Sequence, residues 1–544
     1  MCARSAISSS PPAASKKILR LRSAQGWVAA AIAAIALIAL GANLPPHGFY
    51  SGDSGVKLIA AINARAHPAR PLDIDLPTIA GRPAPYLDRF FELHGDHAHA
   101  LQSSVFPLLT APFLALAGLR GAYVLPALAF IALPPLLLLI GRAHMPTVPP
   151  WLIALVAVAA NPVFFYALEL WEHVPAIASL AAATAFAGSR PLLAGLAAGA
   201  AILLRPEAAW FAAGLVVLTT NWRAYVAGIA AAVTPFAIYN FAHSGNVLGA
   251  HVAANLAPLA DHWLFARLER TALWLIPSSP MALAGFAVIV VSHVVRLAGV
   301  SVRKAQAIAL IGALVVAYAA VDQQINRESL WRAWPLATLL IVPDVTARNR
   351  LWMPGLVSIG AVILLSTHNG GAQWGPRFLL IASPALIVLA CAAAYRAAQR
   401  DGEWFRARLA LVSLLLFSAV FTTREAYREL RGTKQLYARI NDATIAGVPP
   451  GAYVVSRVWW FDQVTASLHG RHTVLTVDDD SEERAALAEL EAAQITSALL
   501  VVSDESGERR SPPQTAGTCF TTTGERRVHE RVLRFVSLAC ATQR

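Results

Sequence analysis

Three short segments of this 544-residue chain carry side chains suited to moving a proton or gripping an anion. The first is Tyr50-Ser51-Gly52-Asp53-Ser54-Gly55-Val56-Lys57. A carboxylate opening a helix is stabilised by the helix dipole. Glycines at 52 and 55 leave the backbone open to a ligand. The plainer alternative is an N-cap aspartate. The second is Glu169-Leu170-Trp171-Glu172-His173. On a helix, Glu169, Glu172 and His173 fall on one face. There they suit a divalent metal cation or an acceptor hydroxyl. Otherwise they form a wet helix end with Trp171 at the membrane interface. The third is Asn369-Gly370-Gly371-Ala372-Gln373-Trp374-Gly375-Pro376-Arg377. Pro376 is a natural first helical residue. Backbone N–H groups at that helix start and the planar fork of Arg377 suit a phosphate, with Trp374 beside them. A glycine turn with a snorkelling arginine is the alternative.

Weaker candidates surround these three. Arg205-Pro206-Glu207 is a possible second anion contact or a plain helix cap. Tyr239-Asn240 opens the loop 242–270 and adds Asn240 as a binding candidate. His94-Gly95-Asp96-His97-Ala98-His99 has metal-ligand types, but its spacing fits no standard site and reads as a solvated loop. The chain has no Walker A motif, dinucleotide fingerprint or Gly-x-Ser-x-Gly elbow.

The elements that position these residues are set by composition. The chain is 56% hydrophobic and 14% charged, where soluble proteins carry roughly 25% charged residues. This excludes an ordinary soluble enzyme and a disordered chain. The net charge of +12 comes without a basic stripe interleaved with aromatics, so nucleic acid is not an expected partner. It matches arginines held on one side of a bilayer. Residues 1–26, Ser/Pro/Ala-rich and basic, read as a disordered cytoplasmic N-terminus, and the run from Trp27 as an uncleaved first span. Residues 45–120 form a large extracytoplasmic loop with an amphipathic helix at 54–66. A short interfacial helix at 105–116 within that loop does not cross. Further spans are expected at 121–140, 151–168, 174–188, 191–204, 208–220, 224–241, 272–295, 305–321, 334–344, 351–367, 378–395 and 407–423. The total is about thirteen.

Residues 424–544 read as a soluble extracytoplasmic α/β domain. Its strands fall at 452–456, 473–477 and 497–503, with a helix at 482–493 and a tail hairpin. Four cysteines are too few for a disulfide scaffold, and Cys519 and Cys540 are the one candidate pair. The expected fold class is thus an α-helical polytopic membrane protein, spans over 27–423, with a C-terminal soluble α/β domain. The topology also sorts the 32 acids. Glu169, Glu172, Glu207, Asp261, Glu269, Asp322 and Glu328 all fall on the outer side, with Asp344 the main exception. Acids kept within such an apolar stretch are costly and tend to be functional.

This pattern resembles the GT-C superfamily of polytopic glycosyltransferases, in layout most like aminoarabinose transferases and protein O-mannosyltransferases. The carriers are Asp53, Phe106-Pro107 with Pro112 and Gly118, the Glu169–His173 segment, the Arg205 turn and Gly370–Arg377. Asp53-Ser54 stands where the family has two adjacent acids, and Glu172-His173 where relatives often have one Asp. The resemblance implies a polyprenyl-phosphate sugar donor, an extracytoplasmic glycan, lipid or protein acceptor, inversion, and a place in the bacterial cytoplasmic membrane. It implies Asp53 as base and Arg377, helped by Arg205 or Lys57, on the phosphate. Glu172, Glu169 and His173 would hold the acceptor or a divalent cation. A lipid-linked sugar flippase and a non-catalytic subunit with a partner-binding domain are the competing readings. Acids gathered on one side disfavour the flippase, and a dispensable Asp53 would favour the subunit.

Overall fold

The protein is described here by a computed structural model. It covers residues 13–538 except 88, 246, 248, 250–263, 344–348, 366–372, 400–403, 447, 449–450, 459, 504–519 and 529–530. Cys2, Cys519, Cys540 and the first four residues of the third motif therefore lie outside the described residues, as do Asp261 and Asp344.

Helix α1 (Ala13–Gly41) starts earlier than Trp27 and reaches into the segment expected to be disordered. After a turn comes α2 (Gly52–Ala66), close to the amphipathic helix read from the sequence. The loop then forms β1 (Ile74–Asp75), β2 (Thr78–Ile79), β3 (Arg82–Pro83), β4 (Phe91–His94) and β5 (His97–Ala100). Strands β1, β5 and β4 make one small sheet, and β2 pairs with β3. Helix α3 (Val105–Ala117) carries Pro112 and ends at Gly118, which sits at φ +57. It buries Phe106 and Leu114 with Val56, Ile59 and Phe91, in a core separate from that of the main bundle.

The bundle continues with α4 (Val124–His144), α5 (Pro150–Ala159), α6 (Val163–Ala167), α7 (His173–Phe186), α8 (Pro191–Leu204), α9 (Ala208–Leu215) and α10 (Trp222–Ser244). Long apolar helices follow at Pro280–Leu297 and Val302–Val321. Among the described residues, seven helical segments are long and apolar enough to cross a membrane, with five shorter apolar helices of 10–17 residues beside them. A helix of that shorter length rises about 15–25 Å, less than the roughly 30 Å hydrocarbon core. The expected spans 151–168, 174–188, 191–204, 208–220 and 351–367 correspond to these five. The expected span 334–344 is a 3-10 segment, Pro335–Ile341. The long-helix count is therefore below thirteen, because prolines and glycines break several apolar runs.

The helix expected to end at 423 runs unbroken from Phe405 to Ile445. Beyond it lie β6 (Tyr453–Ser456), β7 (Thr473–Thr476), β8 (Ser497–Ser503), β9 (Phe520–Val528) and β10 (Arg531–Leu538). They form one sheet in the order β7-β6-β8-β10-β9. Strand β6 runs parallel to β7 and β8, while β10 is antiparallel to its neighbours. Alternate residues point to opposite faces. Val455, Leu475 and Leu500 pack with Ile79 and Tyr86 of the first loop and Leu487 and Leu490 of helix Asp480–Ala492. Val454, Val474, Leu499 and Val501 pack with Ile440 and Ala443 of the long helix. Both faces are covered, which explains why these strands read as continuous apolar runs.

Helices α8 and α10 pack through glycine. A Cβ added at Gly195 would lie 1.9 Å from the Tyr225 carbonyl oxygen. Gly195→Val should cost about 1–3 kcal/mol by forcing the two backbones apart. The expected readout is a lower midpoint of thermal unfolding in detergent, whereas Gly188→Val, with open space around it, should leave the midpoint unchanged.

Candidate active site

The three motifs meet at one end of the bundle, around α2. Asp53 lies in the first turn of α2 and pairs with Arg377, Oδ2 to Nη1 at 2.5 Å. Its other oxygen, Oδ1, accepts from Gln102 Nε2 at 3.3 Å. Burial alone would raise the Asp53 pKa. Arg377, Lys57 and Arg205 outweigh it and hold the carboxyl below the ordinary range. Asp53 is therefore ionised at neutral pH. Its pairing adds stability above the unfolded carboxylate pKa of about 3.9. That stability is lost as pH falls through the lower folded value.

One helical turn on, Lys57 Nζ reaches Glu172 Oε2 at 2.8 Å. Glu172 Oε1 accepts from Arg205 Nη1, also at 2.8 Å. Arg205 sits at the end of α8 and also pairs with Glu207. The same Nη1 lies 2.9 Å from His173 Nε2. A guanidinium can only donate, so Nε2 accepts and the imidazole is neutral. Glu172 and His173 are thus engaged by cations, and this geometry does not fit the divalent metal expected from their residue types. Among the described residues, the one group with metal-ligand spacing is Asp73, His97 and His99.

Glu169 departs from its expected place. Helix α6 ends at Ala167 and α7 begins at His173, so Glu169 and Glu172 do not share a helical face. Glu169 turns instead to Lys434 of the long helix, Oε2 to Nζ at 2.8 Å. Its other oxygen accepts from Ser54 Oγ at 2.6 Å and from the Tyr50 amide at 3.3 Å. Glycines 52 and 55 do not face a ligand either. A Cβ at Gly55 would lie 1.5 Å from the Gln463 carbonyl oxygen, so these glycines admit the segment Phe461–Val464.

Arg377 opens a 3-10 segment, Arg377–Ala382, with Pro376 in the capping position. Its guanidinium lies 5.7 Å from the Trp171 ring centre and 5.3 Å from that of Phe378. Lys57 Nζ lies 5.9 Å from the same indole. Trp171 is buried, and its Nε1 has no hydrogen-bond partner among the described residues. Trp374 is buried as well, with its carbonyl accepting from Tyr166 OH at 2.8 Å and Arg332 over its ring. Asn240 is not in this group. It lines a cavity with His99, Ser103, Pro206 and Tyr239.

Residues missed in the sequence include Lys434, Gln102, Gln463 and Glu429, which accepts from Tyr50 OH at 2.7 Å. One compositional signal pointed at Lys434. The 44 basic residues include only five lysines, at 16, 17, 57, 304 and 434, and two of those are buried here.

Glu169 and Lys434 are both fully buried. Lys434→Ala leaves Glu169 uncompensated and should cost about 3–5 kcal/mol. The double variant Glu169→Gln/Lys434→Met should recover much of that, because no buried charge is left alone. A double-mutant cycle on thermal unfolding in detergent measures both.

No protein-family model matches this chain, and no curated protein matches its sequence. Solved structures do match. ArnT from Cupriavidus metallidurans in the apo state has a TM-score of 0.52 at 12% identity, over 96% of this chain and 98% of that one. ArnT from the same organism bound to undecaprenyl phosphate also has a TM-score of 0.52 at 12% identity, over 94% of this chain and 98% of that one. At this identity the likeness concerns the fold. The chain shares the overall fold of ArnT and has, among the described residues, several helices of membrane-spanning length.

Proposed function

We propose that this chain is a membrane glycosyltransferase. It moves a sugar from a polyprenyl-phosphate donor to an extracytoplasmic acceptor hydroxyl, with inversion at the anomeric carbon. The observation that carries the reading is the Asp53–Arg377 pair at 2.5 Å, with Lys57 and Arg205 closing the same end of the bundle. A base and an anion grip stand side by side. The binding of undecaprenyl phosphate by ArnT supports a lipid-phosphate donor.

The chemistry follows from that adjacency. The acceptor oxygen attacks the anomeric carbon while its proton passes to Asp53. The bond from the anomeric carbon to the phosphate oxygen breaks, and the phosphate leaves with the electron pair. Without donor, Arg377 holds Asp53. A phosphate offers the guanidinium fork two oxygens at once. Donor binding therefore turns Arg377 toward the phosphate and releases Asp53 Oδ2 as the proton acceptor, while Gln102 keeps Oδ1 in place. Arg377 and Arg205 then stabilise the charge that develops on the leaving group. Trp171 Nε1 is a further donor at that position. Glu172 acts through Lys57 and Arg205, keeping both cations aimed, and His173 supports Arg205. Glu169 seats α2. Trp374 and Asn240 lie farther from the pair and serve as donor and acceptor contacts.

In this reading the N-terminus is cytoplasmic, and the Asp53 end and residues 424–544 are extracytoplasmic. The protein resides in the bacterial cytoplasmic membrane. The five shorter helices and the Pro335–Ile341 segment cross together with the irregular residues that flank them, which gives about thirteen passes.

Asp53→Asn and Arg377→Ala should insert normally and lose transfer of radiolabelled sugar from an undecaprenyl-phosphate donor. For Asp53→Asn the drop is roughly 10²–10⁴-fold in kcat. Full transfer by that variant would remove Asp53 as base. Topology is read separately. Arg82 is exposed in the first loop. Arg82→Cys, with Cys2, Cys519 and Cys540 changed to Ser, should react with an impermeant thiol reagent in intact spheroplasts. Reaction only after lysis would invert the orientation.

A further inference from the structure

The histidines of the first loop are the strongest unassigned cluster. His94-Gly95-Asp96-His97 is a two-residue hairpin turn, with Gly95 at φ +66. A glycine in that place suits the tight turns that join antiparallel strands. The turn sets His94 directly across from His97. His97 and His99 are two residues apart on β5 and so share one face of the small sheet. Strand β1 runs along the other side of β5, pairing Asp75 with His97 and Ile74 with Ala98. That register carries Asp73 alongside His99. The distances follow the register. His99 Nε2 lies 3.2 Å from Asp73 Oδ1, and His97 Nε2 lies 3.9 Å from the same oxygen.

We propose that Asp73, His97 and His99 bind a divalent transition-metal ion of the zinc class. Their ligand atoms lie within 4.8 Å of one another, close enough for one ion to reach all three. Two imidazoles and one carboxylate suit zinc better than magnesium or calcium, which take oxygen-rich shells. Two features go beyond the ligands themselves. His97 Nδ1 lies 3.0 Å from Asp96 Oδ1, which leaves Nε2 to face the other two ligands. A carboxylate behind a histidine is the usual way a ligating ring is oriented. Asp73 is also held from outside. Its carbonyl accepts from Asn63 Nδ2 of α2 at 2.7 Å, and Asn63 Oδ1 accepts from the Asp75 amide. The ligands therefore come from β5 and from the residue that precedes β1, braced by the helix that carries Asp53.

His94 completes the surroundings. Its ring is 4.5 Å from that of His99, and its Nε2 is buried without a hydrogen-bond partner among the described residues. Three ligands leave a fourth position on the ion. His99 lines the cavity of about 310 Å³ that also holds Asn240, Ser103 and Pro206. The fourth position is suited to an oxygen from a group in that cavity, a hydroxyl or a water. The site is independent of the glycosyltransferase reading, since it shares no residue with the Asp53–Arg377 pair.

The test uses the full chain in detergent, without a histidine tag and stripped by chelator. Zinc binding is followed by calorimetry and metal analysis, and Co²⁺ is used as a spectroscopic probe. One equivalent of zinc at micromolar affinity and a tetrahedral cobalt spectrum are expected. His97→Ala/His99→Ala should abolish both. Asp96→Asn should weaken zinc about 10–100-fold while keeping the stoichiometry. Asp73→Asn should also lose the site, and its unfolding midpoint without metal reports whether the loop still folds. Zinc bound equally by wild type and by the double histidine variant would overturn the proposal. So would a wild-type cobalt spectrum no different from that of the aqueous ion.

Discussion

A carboxylate withdrawn from water costs several kcal/mol unless a cation and hydrogen bonds meet it. The end of the bundle around α2 is organised by that requirement. Asp53, Ser54 and Lys57 lie within about one turn of α2, yet each is committed to a different partner. Asp53 holds the segment that begins at Arg377, and Ser54 reaches Glu169. Lys57 reaches Glu172, which in turn holds Arg205 at the end of α8. Lys434 then draws the long C-terminal helix onto Glu169. Four distant stretches of chain are thus oriented by charges that cannot be left alone. Moving any one of them strands a buried ion.

That arrangement bears on the proposed glycosyl transfer. Lys57, Arg205 and Arg377 face Asp53, Glu172 and Glu207, so the site is balanced before a donor arrives. A phosphate has to compete with a carboxylate for its arginine. The competition makes the proposed base available only when the anion is in place, which couples donor binding to the readiness for proton transfer. The aromatic faces of Trp171 and Phe378 hold Arg377 by contacts that do not depend on which anion it binds.

Local features of this site were legible in the sequence. Asp53 opening a helix, the Arg377 turn and the apolar strands 453–456 and 473–476 follow from short-range pattern. What local pattern cannot carry is pairing across the chain. Glu169 and Glu172 look like one helical face, but a turn between α6 and α7 sends them to separate cations. Lys434 is 265 positions from its partner, and no periodicity links such residues. The glycines at 52 and 55 announced a close approach but not its agent, which proved to be Gln463. The number of long helices was hidden for a related reason. Apolar composition reports burial in lipid or protein, whereas helix length depends on where a proline or glycine breaks the backbone ladder. The C-terminal segment read as self-contained, yet one face of its sheet is closed by Ile79 and Tyr86, far upstream.

The 41-residue helix that carries Lys434 and leads to the sheet has a consequence for biosynthesis. A chain is made from its N-terminus at about 5–20 residues per second. Roughly 20–75 s at that rate separate the synthesis of α2 from that of Lys434 and Gln463. Through this interval Asp53 waits 324 residues for Arg377, and Glu169 waits 265 for its lysine, which is made last. The membrane helices can be inserted while the charged cluster around α2 is still incomplete. The last quarter of the chain then serves as a keystone, so that a ribosome stalled short of it leaves Glu169 without its cation.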